Sequence, residues 1–165
     1  KKSVRVTGPC WKSWCRKRLT RGADPLTVAQ VGQLQLGVET EKDLTDQLMC
    51  GLARLLVATR LRFKDAQRIT EEPVLDVVDG GFGFVEASLK DTKTTNTSAS
   101  KRALKVAVGH ALGLDGVPWA GSRLEMRAGA NVKAEVFGCL MPAPDGAGGF
   151  HKRRLKSTEF TAWLT

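Results

Sequence analysis

Leu44, Leu48, Leu52, Leu55 and Leu56, with Met49 beside them, recur at a spacing that puts their side chains on one helix face. The spacing predicts a helix from Thr40 or Asp43 to about Ala58. Upstream, Leu26, Val28, Val31, Leu34 and Leu36 predict a shorter amphipathic helix. Asp24 or Thr27 is placed to cap it, Pro25 lies near its first turn, and Gly37 marks its end. Residues 61–69 read as a turn and a short new helix, with Asp65 near its start. The period then drops from 3.6 to 2. Residues 74–78 form a β-type run, Asp79-Gly80-Gly81 is a hairpin signal, and Phe82, Phe84, Val85, Ala87 and Leu89 predict the returning strand. Residues 90–102 are polar and rich in Thr and Ser, which predicts a loop. Leu104, Val106 and Val108 alternate with Ala103, Lys105 and Ala107 as a third strand. Beyond His110 the pattern weakens. A helix is predicted over 119–127, a loop over 141–149 from its Pro and Gly content, and a last helix holding Phe160, Trp163 and Leu164, capped by Ser157 or Thr158. The predicted class is α+β, mainly helical with a small three-stranded antiparallel sheet. A last helix that begins so near Thr165 predicts an incomplete domain.

Charge changes this picture through its distribution. Eight of the 26 basic residues, and none of the 17 acidic ones, fall within residues 1–22, so the rest of the chain is nearly neutral. Residues 1–24 therefore read as a basic tail or linker, and 25–165 as the domain. Arg16, Lys17 and Arg18 in the tail are candidates to neutralise phosphates, and Trp11 and Trp14 to stack on bases. An upstream linker or a solvated helix start explains the same composition equally well. Charge alone predicts polyanion affinity and no chemistry. No run of about 18 apolar residues is present, and the first residues lack the apolar stretch of a secretory signal. This predicts an intracellular protein with no membrane partner.

Candidate chemistry narrows by elimination. Cys10 and Cys15 have the spacing of half a zinc site, but no second close pair of Cys or His follows. The four cysteines are therefore expected to be reduced and unliganded. No Walker loop, HExxH motif or paired CxxC occurs. Gly80-Gly81-Phe82-Gly83 sits in a predicted hairpin and not ahead of a helix, so it is not read as a phosphate cradle. With two histidines, hydrolase triads are weak readings. No metal and no cofactor is expected.

One stretch remains informative. Leu61-Arg62-Phe63-Lys64-Asp65-Ala66-Gln67-Arg68-Ile69 follows the end of an apolar helix. About thirty residues later, Thr92-Lys93-Thr94 lies in the connection between the second and third predicted strands. Taken alone, each is an ordinary surface charge. In this order and spacing they resemble the tyrosine recombinases, the Cre-type enzymes in particular, and the integrase-like proteins of eukaryotic mobile elements. Arg62 matches the family's first catalytic arginine, Asp65 the acid three residues on, Arg68-Ile69 the pair that often follows, and Lys93 the loop lysine. Pro25-Leu26-Thr27 resembles the usual start of that catalytic domain. The likeness covers roughly residues 25–110 well and the remainder loosely.

The resemblance implies DNA recombination or integration on duplex DNA, a nuclear location and a homo-oligomer on DNA. Strand exchange builds charge on the non-bridging oxygens of a phosphodiester. A bidentate guanidinium, here Arg62, suits that charge. Asp65 would orient the guanidinium, Lys93 would protonate the leaving 5′ oxygen, and Lys90 and Lys101 would contact phosphates. Two departures stand against activity. The chain has no tyrosine, so the family's nucleophile is missing. The family's His-x-x-Arg box is also missing: His151 and Arg154 have its spacing but read as a chance match. The implied protein is a DNA-binding fragment that is inactive alone. The competing readings are a non-catalytic nucleic-acid-binding protein working through its basic tail, and a plain interaction domain.

Overall fold

A computed structural model describes residues 26–78, 82–90, 103–110, 113–114 and 118–165. The first helix, α1 (Val28–Thr40), is capped by Thr27, as its hydroxyl suggested. The Thr27 side chain accepts the Gln30 N–H, and Gln30 Oε1 accepts the Thr27 N–H at 2.8 Å, a reciprocal cap. The helix does not stop at Gly37. That glycine lies where α1 meets the next helix, and a Cβ there would sit 2.6 Å from Cys50 Sγ. Gly37 is a close-approach residue, so the helix runs one turn further.

Helix α2 (Leu44–Thr59) follows the leucine pattern closely. Asp43 caps it by accepting the N–H groups of Thr45 and Asp46. Leu48, Met49, Leu52 and Leu55 are buried in the core. Arg60 ends the helix in the left-handed conformation (φ 55°), which turns the chain sharply into α3 (Phe63–Ala66). Strands β1 (Val74–Val78), β2 (Phe82–Leu89) and β3 (Leu104–Gly109) then form an antiparallel sheet in the order β1-β2-β3. Val78 pairs with Phe82 and Val85 with Val108. Val85, Leu89 and Val108 point into the core, while Val74, Phe84 and Glu86 face outward, as a period of two requires. The predicted hairpin turn at 79–81 and most of the predicted loop at 90–102 lie outside the described residues. The architecture is α+β, with six helices among the described residues and this three-stranded sheet.

The second half departs from expectation. Helix α4 (Ala120–Gly129) matches the predicted one, and a short α5 (Ala134–Phe137) follows that the weak pattern did not suggest. The segment 141–149 is only partly a loop. Strand β4 (Pro142–Pro144) pairs antiparallel with β5 (Phe150–Arg154), so Lys152, Arg153 and Arg154 enter the hairpin. Two prolines are tolerated because β4 sits in a two-stranded ribbon, where one flank needs no donor. Asp145 closes the turn by accepting the N–H groups of Ala147 and Gly149. Helix α6 (Ser157–Leu164) is capped at Lys156, one residue before Ser157 and two before Thr158, the expected caps. Glu159 reaches back to accept the Lys156 N–H at 2.8 Å, which does the work assigned to a hydroxyl. Phe160 stacks on Phe63 at 5.1 Å, and Trp163 donates to Asp46 at 2.7 Å, so α6 closes the core against α2 and α3.

Arginines inside the core hold the two halves together. Arg127 of α4 grips the Glu72 carboxylate through Nε and Nη2, at 2.5 and 2.8 Å, and donates Nη1 to the Leu140 carbonyl at 2.7 Å. Glu72 also accepts the Ala134 N–H. One carboxylate just ahead of β1 thus ties the sheet to α4 and α5. Burial opposes its ionisation, but the Arg127 contacts outweigh it and hold the Glu72 carboxyl below its ordinary range. Arg123 lies a turn earlier, is fully buried, and donates to the Gly51 carbonyl of α2 at 3.1 Å. Burial, then repulsion from Arg127, pushes its guanidinium down to about 9. Arg54 is also buried, with its guanidinium 5.2 Å over the Trp119 ring.

Candidate nucleic-acid interface

The sharp end of α2 sets the position of Arg62. Because Arg60 turns the chain, Arg62 is extended (φ −71°, ψ 144°) at the N-cap of α3, with its carbonyl accepting the N–H groups of Asp65 and Ala66. Its side chain is exposed. Asp65 is half-buried in the first turn of α3. The two share a turn, but no hydrogen bond or ion pair joins their side chains, so the orienting role expected of Asp65 is not made by direct contact.

The segment after α3 is fixed to the sheet. Ile69, wholly buried, forms an antiparallel bridge with Leu89, the last residue of β2. Two residues on, Glu71 pairs with Lys90 at 2.6 Å. The exit of α3 therefore lies against the root of the β2–β3 connection, the stretch whose sequence holds Lys93. Lys93 is four positions after Leu89, a reach of up to about 14 Å for an extended chain. Lys90, expected to contact phosphate, is instead engaged by Glu71. Both side chains are about half exposed, so this pair contributes little, on the order of 0–1 kcal/mol, and releases readily to a competing phosphate. Lys93, Lys101, Arg16, Lys17 and Arg18 lie outside the described residues, as do Cys10 and Cys15.

His151 and Arg154 stand three apart on strand β5, both exposed. Pro142 pairs with Arg154 and Pro144 with Phe150, so a β-bulge falls within the stretch of β5 that holds both residues.

The sequence pattern also missed a basic cleft. A cavity of about 340 Å³ opens between α3 and the β5–α6 corner, with Phe63 and Leu155 at its base. Lys64 and Arg68 line one wall, and Arg154 and Lys156 the other. Gln67 fixes the walls at their separation: its amide donates to Leu155 O at 3.4 Å and accepts the Met141 N–H at 3.1 Å. Lys152, Arg153, Arg154 and Lys156 form a basic run in the sequence, but nothing in the chain order announces that part of it faces Lys64.

Cys50 and Cys139 are free and buried, and burial raises the Cys50 thiol to about 11, so it is no nucleophile at neutral pH. Among the described residues no cluster of His, Cys, Asp and Glu is placed to hold a metal ion, and no helix is long and apolar enough to cross a membrane. No protein-family model matches the chain, and no curated protein matches it either.

Proposed function

We propose that this chain is a duplex-DNA-binding part of a tyrosine-recombinase-type catalytic domain, with Arg62 and Lys93 directed to one phosphodiester. The observation that carries the reading is the Ile69–Leu89 bridge. It holds the exit of the short helix that Arg62 caps against the end of β2, where the connection whose sequence carries Lys93 begins, and the proposed chemistry needs a guanidinium and an ammonium close together. The order of elements also supports it: a helix that ends at an arginine, then three antiparallel strands, then a lysine-bearing β2–β3 connection. In this reading Arg62 grips the non-bridging oxygens and Lys93 faces the leaving oxygen. Asp65 then acts on Arg62 only after DNA binds, because no contact joins them here. The chain contains no tyrosine, so it provides no tyrosyl nucleophile. The proposal carries with it a nuclear location and assembly of copies on DNA.

The test is binding of the chain to a labelled duplex across a salt series. The expected result is affinity that falls steeply with salt, weakens in Arg62→Ala and Lys93→Ala, and leaves no covalent protein–DNA adduct. Unchanged affinity in both variants would remove the phosphodiester assignment. Loss of all binding on deletion of residues 1–22 would move the DNA contact to the basic tail, and an adduct formed by this chain alone would contradict its inactivity.

A further inference from the structure

We infer that the basic cleft between α3 and the β5–α6 corner is a second phosphate site, which takes a backbone phosphate of the duplex flanking the one at Arg62. The inference rests on the DNA-binding reading above and deepens it. Four cationic side chains from two separate elements line the cleft, and no carboxylate lines it. Like charges facing each other across a cleft repel, so the arrangement is relieved when an anion enters. Glu159, at the start of α6, is held by Arg153 at 2.6 and 3.0 Å and by the Lys156 N–H. Its charge is shared between Arg153 and Lys156, which leaves the lining of the cleft with an excess of positive charge. Arg154 is braced from behind, with one Nη donating to the Gly138 carbonyl at 3.2 Å.

The form of the site favours a polymer backbone over a small phosphorylated molecule. Small-ligand pockets enclose their occupant among apolar walls with a few fixed polar groups. Here Lys64, Arg154 and Lys156 are long and exposed at the rim, a form that suits phosphates held for register and not for identity. The cleft also begins where the first site ends. Lys64 is two residues from Arg62, and α3 presents both. A duplex laid along α3 thus meets Arg62 at the N-cap and the cleft beyond it. Gln67 gives the site its rigidity, because its two bonds fix α3 to the β4–β5 hairpin.

The experiment compares Lys64→Ala/Lys156→Ala with a control of equal charge, Lys42→Ala/Lys133→Ala, and with the wild-type chain. Duplex affinity is measured across a salt series, and backbone amide shifts are recorded with duplex and with inorganic phosphate alone. We expect the cleft variant to lower the salt slope by about 1, the value for one lost phosphate contact, and the control to leave it unchanged. Duplex should shift the amides of Lys64 and Ser157 in the wild-type protein. Equal salt slopes for the cleft variant and the wild type would overturn the cleft while leaving the DNA-binding reading intact. Failure of the wild-type chain to bind any duplex would overturn both. Cleft shifts with inorganic phosphate but none with duplex would assign the site to a free phosphate and overturn the inference.

Discussion

Arg127→Met is the most informative single perturbation of the fold. Methionine keeps most of the side-chain length and its packing but removes all the donors. Arg127 makes two bonds to the Glu72 carboxylate and one to the Leu140 carbonyl, with its own side chain 3 % exposed and that of Glu72 27 % exposed. Removing one member of a buried pair usually costs about 3–5 kcal/mol, because the partner is left charged and poorly solvated. Glu72 keeps the Ala134 N–H and some access to water, so the lower end, about 3 kcal/mol, is expected. With a urea slope of about 2 kcal/mol/M for a domain of this size, the unfolding midpoint should fall by about 1.5 M. The loss should also depend on pH. Glu72 has a folded-state pKa below its ordinary 4.5, so its contribution is fully present above that value and disappears as pH falls through the folded one. The gap between wild type and variant should therefore narrow in acid. A midpoint shift under about 0.5 M at neutral pH, or a gap that stays constant into acid, would refute the account of Glu72 as the pin between sheet and α4.

Three further outcomes follow from other sites. Arg123→Met should be neutral or stabilising by up to about 2 kcal/mol in the same urea assay, since it removes a buried charge that Arg127 repels and leaves the Gly51 carbonyl within its own helix. Gly37→Ala should destabilise by about 1–3 kcal/mol, because the new methyl would stand 2.6 Å from Cys50 Sγ and force α1 and α2 apart. In Glu159→Gln, thermal melts should lose part of the acid sensitivity of the wild type: Arg153 first and the Lys156 N–H second lower the Glu159 carboxyl to about 2, so its stabilisation is present above its ordinary 4.5 and lost as pH falls toward 2.

Local pattern determined the first half of this protein. The leucine period of α2, the alternation in β1, β2 and β3, and the hydroxyl at Thr27 are short-range signals, and burial of one face is what each needs to become an element. The Arg62 turn was equally legible, because an apolar helix end followed by polar residues marks its own stop. Where the order of residues carried no such period, tertiary structure decided. Pro142 and Pro144 read as a loop, yet their pairing with the basic run 150–154 makes a strand of them. Gly37 read as a stop, yet the approach of Cys50 explains it and the helix continues. Nothing in the local sequence marks Arg123 and Arg127 as core residues, and only the packing of α4 against α2 and Glu72 puts them there. The basic cleft belongs to the same class. Lys64 and Lys156 are 92 positions apart in the chain. Their meeting depends on a long-range fold closed by Gln67 and by the Phe63–Phe160 stack, contacts that have no local period to reveal them.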